Sequence, residues 1–104
     1  MTIYRQGDVL IVATIDRPKG AKLPRQNGKI VLAEGEATGH AHVIEAEGAD
    51  LYGEALESRF LEVLVEGGVD LIHQEHATIT IPEGVYRVVR QREWTPEALR
   101  IVSD

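Results

Sequence analysis

Imidazole is the side chain whose type and spacing in this sequence could do chemistry, and it occurs in two close pairs. His40 and His42 stand two apart in the stretch TGHAHVIE, His73 and His76 stand three apart in LIHQEHATI, and these are all the histidines of the chain. On a β-strand, residues i and i+2 share a face with their Cα atoms about 6.5–7 Å apart, so His40 and His42 can converge on one ion at nitrogen–metal distances of about 2.0–2.1 Å. Further ligands must then come from another segment. His73, near the end of a later strand, and His76, in the turn after it, are placed to supply them if that strand lies beside or across from the first. Three histidines with an open position make a Lewis-acid or redox-metal site that activates water or binds substrate, whereas four close it into a structural site. Glu45, Glu47 and Glu75 are the carboxylates that could serve as ligand or general base, with Glu45 and Glu75 the catalytic candidates. The plainer alternative is two polar pairs on half-exposed faces that never meet.

The rest of the inventory narrows the chemistry. Cysteine is missing, which excludes disulfides, Cys-based zinc knuckles, iron–sulfur clusters and a thiol nucleophile, and fits a reducing cytoplasm. Only Ser58 and Ser103 are serines, one in a charged Glu-Ser-Arg context and one beside the last residue, which argues against a Ser-His-Asp hydrolase. No glycine pattern matches a phosphate-cradling loop or a dinucleotide fingerprint.

The elements that must position the histidines read as β. At 104 residues the chain is one domain, with a core to be built from Val, Ile, Leu and Ala because aromatics are few. Val9–Ala13 is a β-branched run suited to a strand covered on both faces or lying at a subunit interface. Asn27-Gly28 can take the positive φ angles of a type I′ turn and predicts a hairpin of Lys22–Gln26 with Lys29–Ala33. His40–Glu45 comes next as a strand with His40, His42 and Ile44 on one face. In GEALESRFLEVLVEGG, Leu56, Phe60 and Val63 sit at helical spacing while Leu61, Val63 and Val65 alternate like a strand. Arg59–Val65 is read as a strand closed by Gly67-Gly68, and Val69–His73 as the next, placing His73 on the face of Val69 and Leu71. Two more are joined through Pro82-Glu83-Gly84. At the C-terminus Thr95 can cap a short helix with Pro96 at its first position. The expected fold is therefore an all-β, single-domain small barrel or sandwich with a short C-terminal helix.

The stretch GEATGHAHVIEAEGADLYG resembles the first cupin motif, with Gly35, His40, His42, Glu47 and Gly53 in the positions of its glycine, His-x-His pair, glutamate and closing glycine. That resemblance covers residues 35–53 and implies that His40, His42 and Glu47, with a third histidine, hold iron, manganese, zinc or nickel inside a β-barrel. In cupins the third histidine comes after a Pro-x-Gly turn. Here Pro82-Glu83-Gly84 is followed by Tyr86 and Arg87, and His73 and His76 precede the turn instead. An anion held by Arg87 is the alternative occupant.

A second resemblance, to GroES-type co-chaperonins, is carried by DVLIVATIDRPKGAKLPRQNGKIVL and by the tail YRVVRQREWTPEALRIV. It implies a ring of subunits and makes the basic loop a partner-binding arm. Residues 17–29 hold Arg17, Lys19, Lys22, Arg25 and Lys29 with no acidic residue, so a small anionic ligand or a protein partner is expected there, if the loop is more than a solvated one. A homo-oligomer is expected, with Val9–Ala13 and Val85–Val89 packing between subunits. The net charge of −6 opposes nucleic-acid binding, although Arg87, Arg90 and Arg92 interleave with aromatics near the C-terminus. Arg87 falls on the strand face opposite the other two. Arg5 and Asp8 interrupt the N-terminal apolar run, so no signal peptide or membrane span is expected and the chain is read as cytoplasmic.

Overall fold

A computed structural model describes residues 2–34, 39–53 and 59–90. Within them the chain forms nine strands: β1 (Ile3–Gln6), β2 (Val9–Ala13), β3 (Ile30–Glu34), β4 (Ala41–Ile44), β5 (Ala49–Tyr52), β6 (Arg59–Val63), β7 (Val69–Leu71), β8 (Ile79–Ile81) and β9 (Gly84–Arg90). Among the described residues there is no helix, and so none long and apolar enough to cross a membrane. The all-β expectation therefore holds, while the C-terminal helix read from Thr95 and Pro96 lies outside the described residues, as does Gly35.

Two layers enclose one core. The first is an antiparallel sheet of order β1-β2-β9-β6-β5. The second consists of the hairpins β3-β4 and β7-β8, joined side by side where Val43 and Ile72 exchange backbone hydrogen bonds of 2.9 and 2.8 Å. Period-2 alternation decides which residues face inward. Val9, Ile11, Leu61, Val63, Tyr86 and Val88 from the first layer meet Ile30, Leu32, Ile44, Val69, Leu71 and Ile81 from the second, all buried. This is a sandwich whose aliphatic content reflects the scarcity of aromatics.

Several boundaries differ from the sequence reading. Asn27 and Gly28 do take positive φ (52° and 78°), and Gln26 and Lys29 exchange the hydrogen bonds of a tight turn. The arm before the turn is not a strand of that hairpin, however, because Lys22 bridges Tyr52 and Leu23 N–H donates to Leu51 O, tying the arm to β5. β6 stops at Val63, two residues short of the expected Val65, because Leu64 N–H donates to Gly48 O and Val65 O accepts from Gly68 as the chain turns. β7 ends at Leu71, since Ile72 pairs with β4 and His73 enters a turn. β1 and β5 are strands that the sequence pattern does not single out. Gly7-Asp8 is a two-residue connection between β1 and β2, with Gln6 opposite Val9 and Gly7 at φ 59°.

Candidate functional site

Gln6 is the residue around which the site is built. It lies on the inward face of β1, 2% exposed, where an amide without partners would be costly. Its Nε2 donates to the carbonyls of Leu71 and Ala77, both at 2.9 Å. Two carbonyl partners fix the amide's orientation, so its Oε1 must be the acceptor, and it stands 2.8 Å from His42 Nδ1. His42, 3% exposed, therefore carries a proton on Nδ1, and in the neutral ring its lone pair is on Nε2.

That Nε2 faces Asp8 Oδ1 at 3.4 Å. The other carboxylate oxygen, Oδ2, accepts from Arg90 Nε at 3.1 Å, and Arg90 also donates to the carbonyl of Glu34. Burial alone would raise the Asp8 carboxyl, but the hydrogen bond and charge of Arg90 outweigh it and hold the group below the usual carboxylate value. For His42 burial acts downward, His73 adds to it, and Asp8 offsets them only in part, so the imidazole lies below its ordinary value. At neutral pH an imidazole lone pair and a carboxylate oxygen face each other.

The two histidine pairs meet. The ring of His73 lies 4.3 Å from that of His42, 4.7 Å from His76 and 5.7 Å from His40, centroid to centroid, and His42 and His76 are 6.1 Å apart. Imidazoles sharing a tetrahedral ion through bonds of about 2.0–2.1 Å would have centroids about 5 Å apart, a spacing that His73 keeps from His42 and His76 and that the stacked rings of His42 and His76 exceed. His40 Nδ1 is 2.6 Å from Glu75 Oε1. His73 has the opposite polarity to His42. Its Nδ1 accepts from the backbone N–H groups of Glu75 (3.0 Å) and His76 (3.4 Å), so its proton is on Nε2. Burial, with His76 and His40 adding to it, holds His73 below its ordinary value. His76 seats on Gly7, where a Cβ would come within 2.6 Å of its Nε2. Among the described residues no group of three or more His, Asp or Glu side chains is placed to hold a metal ion.

All four predicted histidines and Glu75 thus come together at one end of the sandwich. Glu45 and Glu47 lie beyond the far end of β4, where Glu45 pairs with Lys29 at 3.3 Å and Glu47 lies in the exposed turn before β5. The carboxylate beside His42 is that of Asp8, and Glu47, the ligand that the motif resemblance implies, lies elsewhere. Gln6 and Asp8 are the site residues that the sequence reading missed, and Arg90, read there only as a nucleic-acid candidate, pairs with Asp8. The available signal was Gly7-Asp8, a two-residue turn pair before the apolar run Val9–Ala13, which would have brought Gln6 and Asp8 to a strand end. In the basic loop, Lys22 pairs with Asp50 at 3.4 Å and Arg25 donates to the carbonyls of Gly28, Ala46 and Ala49, so these cations hold the loop to its own chain. Arg87 lies on the outer sheet face over the ring of Phe60, on the opposite side of β9 from Arg90.

No curated protein and no solved structure matches the chain. The family model described as Domain of unknown function (DUF8820) matches residues 5–91, a span that holds Gln6, Asp8, all four histidines and Arg90, and the chain belongs to that family.

Proposed function

We propose that this protein binds a divalent metal ion through His42 Nε2, His40 Nε2 and the Asp8 carboxylate, with His76 completing the set at the exposed rim. The observation that carries the reading is the 3.4 Å separation of His42 Nε2 and Asp8 Oδ1. It is longer than a normal N–H···O bond, and in the tautomer set by Gln6 both atoms are acceptors. It equals the edge of a tetrahedral coordination sphere, about 3.3–3.5 Å for bonds of about 2.0–2.2 Å. A cation between them converts a repulsive contact into two bonds. The Nδ1–H groups of His42 and His40, held by Gln6 and Glu75, are the outer contacts that orient ligating imidazoles.

A nitrogen-rich set with one or two carboxylate oxygens suits zinc, iron, manganese or nickel. Because His76 and Glu75 are exposed, such an ion would keep a position open to solvent and could polarise a bound water, with Glu75 as the candidate base. The resemblance of residues 35–53 to the first cupin motif supports the same two histidines. Metal analysis of protein purified without a histidine tag, before and after reconstitution, tests the reading. About one ion per chain is expected, and none of the four metals at any stoichiometry after reconstitution would remove it.

A second reading, a homo-oligomer, is favoured by the outer face of the five-stranded sheet. There Ile3, 52% exposed, stands opposite Val12, and Val12, Val85 and Val89 are half-buried on the same face. A second copy would cover it. Sedimentation at micromolar concentration should show a dimer or larger species, and a monomer would sink this reading while leaving the metal site intact.

A further inference from the structure

We propose that a pocket between β3, β5, β6 and the arm 22–26 binds a small monocarboxylate, with its apolar body in the pocket and its charge on Arg59. β3 and β5 are the end strands of their layers, and no ladder joins them among the described residues. The gap between them encloses about 160 Å³, lined by the buried Ile30 and Leu51 and, nearer the surface, by Leu23, Val31 and Arg59. An apolar cavity of about 150 Å³ accommodates benzene, so the space suits a body of about six carbons. The pocket shares no residue with the histidine cluster. Ile30 stands opposite Ile44, toward the other end of β3 from Ala33, the partner of His42.

Arg59 gives this pocket its charge preference. On β6 it alternates onto the same face as Leu61 and Val63, both buried in the core, so its side chain enters the gap between the layers. There its Nη1 donates to the Leu32 carbonyl of β3 at 3.5 Å, the outer limit of a hydrogen bond. That contact holds the guanidinium against the β3 wall, one residue from Val31. Among the described residues no carboxylate pairs with it. Asp50 of β5 and Glu62 of β6 alternate to the outer face of the sheet, where Asp50 pairs with Lys22 and Glu62 accepts from the Tyr52 hydroxyl. A guanidinium carries five N–H donors, and a planar carboxylate accepts two of them in parallel. A carboxylate on an apolar body therefore supplies the missing counter-charge and covers Ile30 and Leu51 at once, whereas inorganic phosphate would leave the apolar walls uncovered.

The test titrates the nitrogen-15-labelled full chain with benzoate and with benzamide, its uncharged counterpart of the same shape, in wild type and in Arg59→Met. Benzoate should bind wild type with a Kd of about 1 mM, ordinary for a ligand of this size, and shift the amides of Leu23, Ile30, Val31 and Leu51. Benzamide should bind roughly ten-fold more weakly. Arg59→Met should weaken benzoate roughly ten-fold, the low end for a hydrogen bond to a charged group, and leave benzamide within about two-fold. Equal affinity of wild type for the two ligands would overturn the proposal, as would full benzoate affinity in Arg59→Met. So would benzoate shifts confined to the exposed cations Arg17 and Lys19, or no saturable shift at about 20 mM benzoate. The comparison of the two ligands needs wild type alone, so it decides the matter even if Arg59→Met does not fold. Each outcome is independent of the metal reading.

Discussion

His42 Nε2 and Asp8 Oδ1 face each other across 3.4 Å while the far side of each group is already engaged, His42 by Gln6 and Asp8 by Arg90. Neither can turn away without leaving a partner behind. In Asp8→Asn the new amide can donate to His42 Nε2, which relieves the contact but removes the charge that would hold a cation. The metal-free variant should remain folded, with a thermal midpoint within a few degrees of wild type, and should bind zinc at least about 100-fold more weakly. Calorimetric titration with zinc and a thermal scan in chelator read the two quantities separately.

Gln6→Leu should be costly without touching the ion. It leaves the carbonyl of Leu71 and the Nδ1–H of His42 without their partner in a buried region, and the carbonyl of Ala77 without its partner nearer the surface. At about 1–3 kcal/mol for each buried group left unsatisfied, with part of this relieved by relaxation, urea denaturation should show a loss of about 2–4 kcal/mol. A loss below about 0.5 kcal/mol would mean that Gln6 does not tie the two layers.

Gly7→Ala tests the seat of His76. The added methyl would come within 2.6 Å of His76 Nε2 and would sit at a positive φ of 59°, so the ring must move. The variant should lose about 1–2 kcal/mol of stability from the turn and bind zinc roughly ten-fold more weakly, the low end of the effect of disturbing a metal site's support. Unchanged zinc affinity in this variant would take His76 out of the ligand set.

Alkaline pH should expose a structural tyrosine remote from the histidines. Tyr86 is buried in the core and donates to Pro82 O at 2.7 Å, and burial, with Tyr4 adding to it, raises its phenol above the ordinary value of 10.0. The unfolded chain therefore releases this proton at lower pH than the folded one. The stability it contributes is present below pH 10 and is lost as pH rises above it. Urea midpoints measured between pH 8 and 11 should fall steeply in wild type and less steeply in Tyr86→Phe. Equal slopes would contradict the assignment.

The parts of the fold legible in the sequence are those set by local backbone chemistry. Val9–Ala13 is a strand at the expected bounds because its β-branched run is bounded by turn residues, and Asn27-Gly28 turns the chain because both tolerate positive φ. The pairing of the segments on either side of a turn is decided by distant residues, so the arm 22–26 pairs with Tyr52 and Leu51 of β5, a choice no local pattern encodes. The histidine pairs were visible by type and spacing, and the pairing of Val43 with Ile72 is what brings them together. Gln6 was not visible. Its importance comes from two carbonyls and an imidazole supplied by residues more than thirty positions away, and a glutamine in a strand carries no mark of that. Asp8 was readable only as the polar end of a strand, although Gly7-Asp8 has the chemistry of a two-residue hairpin turn.

The central claim is most directly tested by titrating tag-free, chelator-stripped wild type, Asp8→Asn and His40→Ala with zinc in a calorimeter. The account predicts about one ion per wild-type chain and a loss of affinity of about 100-fold or more in each variant, with all three proteins folded by circular dichroism. Wild-type protein that binds no zinc, iron, manganese or nickel, or that binds zinc no more tightly than Asp8→Asn, would contradict it.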